Sequence, residues 1–361
     1  MKCQQITDEH IKAHYLARNT NWWLGVWLQQ LASAIVLFAA LFAVLAGHLG
    51  AGLIGLSLTY AIDVTDMLEW SVRSVGQLEI AMISVERIRE FTETPTEASW
   101  QSRPANKPPN NWPEKGRIVF DKYSTRYRPG LDLVLKDISL DIRAAEKIGI
   151  VGRTGAGKSS IGLALFRMVE AASGRILIDG RDVAKMGLHD LRRHLGIIPQ
   201  DPVLFSGSLR LNLDPLNKHR DRELWNALEQ SHLKDFVSTL PGKLNYAVSE
   251  GGENLSVGQR QLICLARVLL RQSRVLLLDE ATSSVDLKID SLIQETIRER
   301  FKQCTVLTVA HRIDTILDSD RVVVLEAGRI VEFDSPTTLL ANDKSLFHSL
   351  VKKSKRKTAS S

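Results

Sequence analysis

Between Leu31 and Gly47 the chain reads LASAIVLFAALFAVLAG, seventeen positions in which Ser33 carries the only polar side chain. Few environments accept such a segment. In hydrocarbon every backbone N–H and C=O must find a partner within the structure, which a helix provides, whereas a soluble helix seldom lacks a polar stripe for so long. With the aromatic approach from Trp23 to Trp27 the run reaches about 25 residues, enough to cross a hydrocarbon core ~30 Å thick. Trp22, Trp23 and Trp27 stand where interfacial rings anchor a spanning helix. His48 separates this run from a second, Leu49 to Ile62, which is shorter, rich in glycine and weak by hydropathy alone. Charge decides in its favour. Lys2, Lys12 and Arg18 precede the pair, Arg73, Arg87 and Arg89 follow it, and the connection holds no Lys or Arg. The positive-inside rule then puts both ends in the cytoplasm, joined by a tight external turn. Membrane helices are expected at about 23–47 and 50–72, with helical character continuing through Thr65 to Phe91 into the cytosol.

On the second helix Asp63, Asp66, Trp70 and Arg73 are spaced 3, 4 and 3 apart, which places them on one face, with Glu69 beside them. If the helix starts near Gly50, Asp63 lies about 20 Å along it. Ionisable groups at that depth face a bundle interior or a wet cavity more readily than lipid. Two readings stay open. One is a Glu69–Arg73 pair at the cytoplasmic edge. The other is a face lining the path of an organic small-molecule substrate, with Trp70 available for stacking. The face is net acidic, so the charge of a substrate is left open.

Composition shifts at Thr94. Thr94 to Gly116 holds Pro95, Pro104, Pro108, Pro109 and Pro113 and reads as a linker. From Arg117 onward short apolar strands such as Ile118–Phe120 and Lys147–Val151 alternate with helical stretches, the pattern of an α/β domain with a parallel core sheet. The expected organisation is therefore residues 1–93 membrane helices and extension, 94–116 linker, 117–350 α/β domain and 351–361 a basic tail. The 47 basic against 41 acidic residues leave +6. Part of that sits in the tail Lys352-Lys-Ser-Lys-Arg-Lys357, expected as a solvated irregular end or a contact for anionic lipid. No nucleic-acid partner is indicated. Cys3, Cys264 and Cys304 form neither a metal pattern nor a disulfide framework.

The strand Lys147–Val151 runs directly into Gly152-Arg153-Thr154-Gly155-Ala156-Gly157-Lys158-Ser159, and a helix pattern follows from Ser160. That strand, loop and helix order is the context a GxxxxGK[ST] loop requires. Glycines let successive N–H groups turn inward around phosphate, and the helix N-terminus adds its dipole. Lys158 is placed to reach terminal phosphates and the Ser159 hydroxyl to ligate Mg2+. Downstream, Arg274-Val-Leu-Leu-Leu-Asp279-Glu280 is an apolar strand ending in two carboxylates. Asp279 is suited to the metal and Glu280 to orienting or deprotonating an attacking water. Between them, Leu255-Ser256-Val257-Gly258-Gln259 heads a helix pattern. Alone it reads as no more than an N-cap.

The order of these segments is more telling than any one of them. The glycine loop, Gln200 in Ile198-Pro-Gln, Leu255 to Gln259, Asp279-Glu280, Ser284-Val-Asp286 and His311 in Val309-Ala-His-Arg resemble the ATP-binding-cassette family throughout. Gly187-Leu-His-Asp-Leu191 and Asp201-Pro-Val-Leu-Phe-Ser-Gly207 are close to the wording of its C subfamily, the multidrug resistance-associated proteins, and Trp22 to Glu97 looks like that subfamily's last two membrane helices. The resemblance implies an α/β P-loop NTPase, an ABC cassette with a helical subdomain, preceded by an all-α transmembrane hairpin. It implies that ATP is bound with Mg2+ by Gly152 to Ser160, that Tyr127 stacks on adenine (with Tyr123 the alternative), and that Gln200 ligates the metal. His311 would contact the γ-phosphate, and Ser256, Val257, Gly258 and Gln259 would clamp a nucleotide held by a second cassette facing head to tail. Val257 stands where the family usually has glycine while Glu280 is retained, a combination that looks like the second, C-terminal cassette. The implied activity is ATP hydrolysis coupled to export of an organic solute, with a channel, a channel regulator or a non-transport ATPase module as alternatives. Two helices and one cassette are fewer than such a transporter needs, so further membrane helices and a second cassette are expected from the same longer chain or another subunit. The expected location is a bilayer, plasma or vacuolar/lysosomal, with cassette and both termini cytoplasmic.

Overall fold

The computed structural model describes residues 2–45, 50–279, 287–309 and 315–358, and it divides the chain into two compact units, 1–97 and 98–361. The first unit is a pair of helices, α1 (Lys2–Leu45) and α2 (Ala51–Thr92). Both are long and apolar enough to cross a membrane. At 1.5 Å per residue their 44 and 42 residues extend about 66 and 63 Å, twice a hydrocarbon core of ~30 Å. Helix α1 begins well before the Trp23 expected from hydropathy. The stretch Lys2 to Asn21 is polar but holds neither Gly nor Pro, so nothing stops the helix there. Hydropathy marks where a helix meets lipid, not where it starts.

Along the pair, Trp23 and Trp27 meet edge to face with centroids 6.0 Å apart. A Cβ placed on Gly25 would lie 2.6 Å from Nη2 of Arg73, so that guanidinium lies against the α1 backbone. Thr65 is buried and returns its hydroxyl to the Ile62 carbonyl at 2.7 Å. Asp63, Asp66 and Trp70 are exposed on the pair, and the Glu69 side chain is outside the described residues. Arg73 therefore shares its helical face with the acids but is applied to α1.

The described residues of the second unit form two large sheets, a two-stranded ribbon and a helical group. Strands β1 (Ile118–Thr125), β2 (Leu135–Ile142), β4 (Ala171–Ile178) and β5 (Arg181–Asp182) form an antiparallel sheet in the order β2-β1-β4-β5. A six-stranded sheet runs β12-β11-β3-β10-β9-β6, from β3 (Lys147–Gly152), β6 (Leu195–Ile198), β9 (Val275–Asp279), β10 (Thr305–Val309), β11 (Arg321–Glu326) and β12 (Arg329–Asp334). All its pairings are parallel except β11 with β12. Strands covered on both faces read as unbroken apolar runs, and Val275 to Leu278 are all buried. Helix α3 (Lys158–Leu165) follows β3, and α4 (Leu188–His194) precedes β6. The helical group comprises α5 (Leu209–Leu213), α6 (Asp221–Gln230), α7 (Lys234–Thr239) and α8 (Val257–Arg271), with a small ribbon of β7 (Gly207–Ser208) and β8 (Ala247–Val248). Helix α9 (Leu287–Arg300) connects β9 to β10, and α10 (Pro336–Ala341) and α11 (Leu346–Thr358) complete the chain.

One core cluster joins the antiparallel sheet to α3 and the middle of the parallel sheet, through Phe120, Ile150, Ile161 and Leu277. A second unites α6 and α8 with the other sheet face through Leu228, Leu265, Leu276 and Ile297. The phosphate-loop strand and the helical group thus share β9 as a common wall.

Two expectations change. The proline-rich stretch does not behave as a free spacer beyond Ala98. Trp112 is buried, donates from Nε1 to the Ile178 carbonyl at 3.2 Å, and meets His194 edge to face. Asp179 accepts the amides of Lys115, Gly116 and Arg117, which fixes the entry to β1. Prolines donate nothing to a sheet, but the residues between them still pair. The basic tail, expected to be irregular, continues α11 as far as Thr358. Its start is anchored from outside the helix: the Glu332 carboxylate accepts from Leu346 N at 2.7 Å, Phe347 N at 3.1 Å and Ser345 Oγ at 2.8 Å.

Candidate nucleotide site

The loop lies at the carboxyl end of β3, in the crevice where parallel α/β sheets bind ligands. Its register is set from both sides. Strand β3 pairs with β10 and β11, and Gly328 donates its amide to the Ala156 carbonyl at 3.1 Å. Gly157 is the N-cap of α3 with φ +100°, and a Cβ there would lie 2.9 Å from Cδ2 of Leu135. Glycine is therefore required for the turn and for the packing beneath it.

Lys158 is 7% exposed, and its ammonium curls back to the carbonyls of Gly152 (3.1 Å) and Arg153 (3.4 Å). Carbonyl dipoles solvate this buried cation without neutralising it, the state in which an anionic phosphate is most favourable. Ser159 Oγ stands 3.5 Å from Oδ1 of Asp279, at the end of β9. A hydroxyl and a carboxylate brought together this way are hard oxygen donors, and they fit Mg2+. Gln200, at the end of β6, is exposed, and its carbonyl is held at 3.0 Å by the Gln261 side-chain amide.

The two tyrosines separate. Tyr123 is 3% exposed, packs edge to face on Phe120, and burial raises its phenol above the ordinary value. Tyr127 is half exposed, and its hydroxyl lies 2.7 Å from Ser160 Oγ on the helix that follows the loop. Only Tyr127 offers a ring face beside the phosphate loop.

Ser256 to Gln259 open α8. The Ser256 hydroxyl accepts the Gln259 amide at 3.2 Å, and the Gln259 side chain accepts the Ser256 amide at 2.9 Å. This reciprocal capping box satisfies helix-start donors within the chain. The N-cap reading is realised, with Val257 and Gly258 forming the first turn. Glu280, His311 and Ser284 to Asp286 fall outside the described residues.

Three groups escaped the sequence reading. Gln261, almost fully buried, ties α8 to the carbonyls of Pro199 and Gln200. Arg267 donates to the carbonyls of Asn212 (2.5 Å) and Val203 (3.0 Å), while Asn212 pairs with both the amide and the carbonyl of Phe205. Burial depresses the Arg267 guanidinium, which stays charged at any physiological pH. Together they connect α8 with the loop after Gln200. The available signal was a buried-phase Gln and Arg on an otherwise apolar helix face. The third group surrounds Gly187 and Arg192.

Residues 135–283 match the profile of the family described as ABC transporter. Multidrug resistance protein mrp-7 of Caenorhabditis elegans is 56% identical over 351 residues, covering 96% of this chain and 23% of that protein. ATP-binding cassette sub-family C member 3 of Homo sapiens is 56% identical over 323 residues (89% and 21%). Metal resistance protein YCF1 of Saccharomyces cerevisiae is 51% identical over 347 residues (95% and 23%). The chain thus spans under a quarter of the length of these relatives. Among solved structures, a bacterial Atm1-family ABC exporter with ATP bound superposes with TM-score 0.69 at 32% identity, covering 83% of this chain and 52% of that one.

Proposed function

The chain belongs to the ABC transporter family, in its C subfamily, and from that premise we propose that it is the ATP-binding and ATP-hydrolysing segment of an exporter of organic solutes. The observation that carries this reading is the convergence of Lys158, Ser159 and Asp279 at the ends of β3 and β9. Lys158 exchanges its carbonyl partners for the β- and γ-phosphates, and the loop amides hold the anion in a fixed orientation. Ser159, Asp279 and Gln200 would hold Mg2+, which would supply charge neutralisation on the phosphate oxygens. Tyr127 stacks the adenine, and the Ser160 hydroxyl fixes the ring. Glu280 orients the attacking water and accepts its proton, and His311 steadies charge developing on the γ-phosphate.

The site is half of a composite. A second cassette supplies the signature segment over this loop, while Ser256, Val257, Gly258 and Gln259 cover the nucleotide of that partner. Val257 places a β-branched side chain where backbone must approach phosphate, so the site it covers hydrolyses more slowly. Closure and reopening of the pair move α2, whose face with Asp63, Asp66, Glu69, Trp70 and Arg73 lines the solute path. The chain is embedded in a bilayer with its cassette and both termini cytoplasmic.

The deciding measurement is ATPase turnover of the intact membrane assembly carrying Glu280→Gln. Turnover should fall at least about a hundredfold with ATP still bound, as loss of a positioned general base or water orienter predicts. Near-normal turnover would overturn the assignment. Vesicle uptake comparing a glutathione conjugate with a lipophilic cation reads the solute's charge, and ATP-gated current without uptake in either case would replace transport by a channel.

A further inference from the structure

Segment Ser99–Ser102 is seated on the start of α4. The carbonyls of Ser99 and Trp100 accept the amides of Leu188 and His189, each at 3.0 Å. These are helix-start donors that α4 cannot satisfy within itself. The Ser102 hydroxyl accepts the Gly187 amide at 2.8 Å, and the Ser102 amide donates to Oδ2 of Asp190 at 3.2 Å. The Trp100 ring covers His189 with centroids 5.2 Å apart. The two backbones are so close that a Cβ on Gly187 would lie 2.3 Å from both the Gln101 carbonyl carbon and the Ser102 nitrogen. Any side chain at 187 forces the strap away.

From the same helix, Arg192 reaches the far end of α3. Its Nε donates to the Phe166 carbonyl and its Nη2 to the Arg167 carbonyl, both at 3.1 Å. Those are carbonyls left over where α3 ends, and a cation there also complements the helix dipole. Arg167 ties the junction back, donating to the carbonyls of Met186 (2.8 Å) and Val183 (3.3 Å), just before Gly187. Helix α3 is only eight residues long and begins at Lys158. A displacement where Arg192 holds it is therefore felt at the phosphate loop.

We propose that strap Ser99–Ser102 and Arg192 form a brace that sets the position of the phosphate-loop helix, so that releasing the strap weakens nucleotide binding with every residue of the loop sequence unchanged. Arg192 is a positioning residue, acting through α3. The proposal rests on reading Gly152–Ser159 as the ATP loop. The strap follows the end of α2 after the six residues Glu93–Ala98, which span at most about 22 Å.

The test uses the full chain and two readouts, Mg-ATP affinity and amide hydrogen exchange at Leu188 and His189. Because coupling is reciprocal, Mg-ATP should slow exchange at these two amides by about fivefold, and Gly187→Val or Ser102→Ala should raise the Mg-ATP Kd by a comparable factor. Arg192→Ala should do the same and Arg192→Lys should recover part of the loss. Ser102→Ala removes one oxygen and keeps the test alive if Gly187→Val does not fold. Wild-type Mg-ATP binding that is lost in Lys158→Ala but unchanged in all strap and Arg192 variants overturns the brace alone. A wild-type chain that binds no Mg-ATP overturns the loop reading and the brace with it.

Discussion

Tyr127 and Ser160 exemplify what one hydroxyl contributes when its partner is a ring that must lie flat. If the Tyr127–Ser160 hydrogen bond orients the ring, Tyr127→Phe and Ser160→Ala should each weaken ATP binding about fivefold, the worth of one neutral hydrogen bond, and the double variant should lose no more than either. Equilibrium titration of the three proteins measures this, and additive losses would disprove the orienting role. Ser256 presents the complementary case. Its hydroxyl is engaged in capping α8 within the chain, so Ser256→Ala should cost roughly 1 kcal/mol of stability with no partner present. A urea melt showing no shift would remove the capping role. At this scale the sequence was legible enough to single out Ser159 and Asp279, which the fold sets 3.5 Å apart, while their roles with Lys158 stay proposals. It was less so for Tyr123 and Tyr127, which share a strand neighbourhood and differ only in burial. It was silent on Gln261 and Arg267, whose partners are largely backbone carbonyls that any residue could present, with the Asn212 side chain added for Arg267.

Elements reveal what one side chain does for a whole helix. Glu332 on β12 satisfies three donors at the start of α11. Glu332→Ala should therefore cost about 2–3 kcal/mol, more than an ordinary cap because the acceptor is charged and serves several donors. Thermal unfolding checks it, and an unchanged midpoint contradicts it. Only the end of α11, from residue 351, had read as a basic tail; the helix start is held both locally, by the Ser345 hydroxyl accepting the His348 amide, and by Glu332 from a strand fourteen residues earlier. Asp190 ties the strap to α4 in a pH-dependent way. Hydrogen bonding from Ser102 holds its carboxyl below the usual carboxylate range. A depressed folded value means the contribution is complete above the unfolded pKa of about 3.9 and is lost as pH falls through the lower folded value. The Asp190 contribution to strap docking should therefore be constant from about pH 5 to 8 and fall away below about pH 4. The stability difference between wild type and Asp190→Asn, followed down that range, should shrink; a constant difference would show that the charge is immaterial.

At the scale of the molecule, the boundary between units falls at Glu97, ahead of the Arg117 suggested by composition. Prolines announced a linker, but Trp112 and the Ser99–Ser102 strap are paid for by contacts far along the chain, with Ile178 and Gly187, which no local pattern displays. A version beginning at Ala98 should unfold cooperatively, whereas one beginning at Arg117 should lose several kcal/mol through the vacated Trp112 pocket, as for other large buried aromatics. Equal denaturation midpoints would place the boundary back at Arg117. The alternation of strands and helices and the spanning runs were readable because period and length are local properties. The great length of α1 and α2 has its own consequence. Helices of about 63–66 Å in a core of ~30 Å leave some 30 Å of each outside the hydrocarbon. Each is then a lever: a tilt change of about 10°, well within the range spanning helices occupy, sweeps such a free end through roughly 5 Å. Small reorientations in the bilayer are thus geared up into displacements the size of a helical turn.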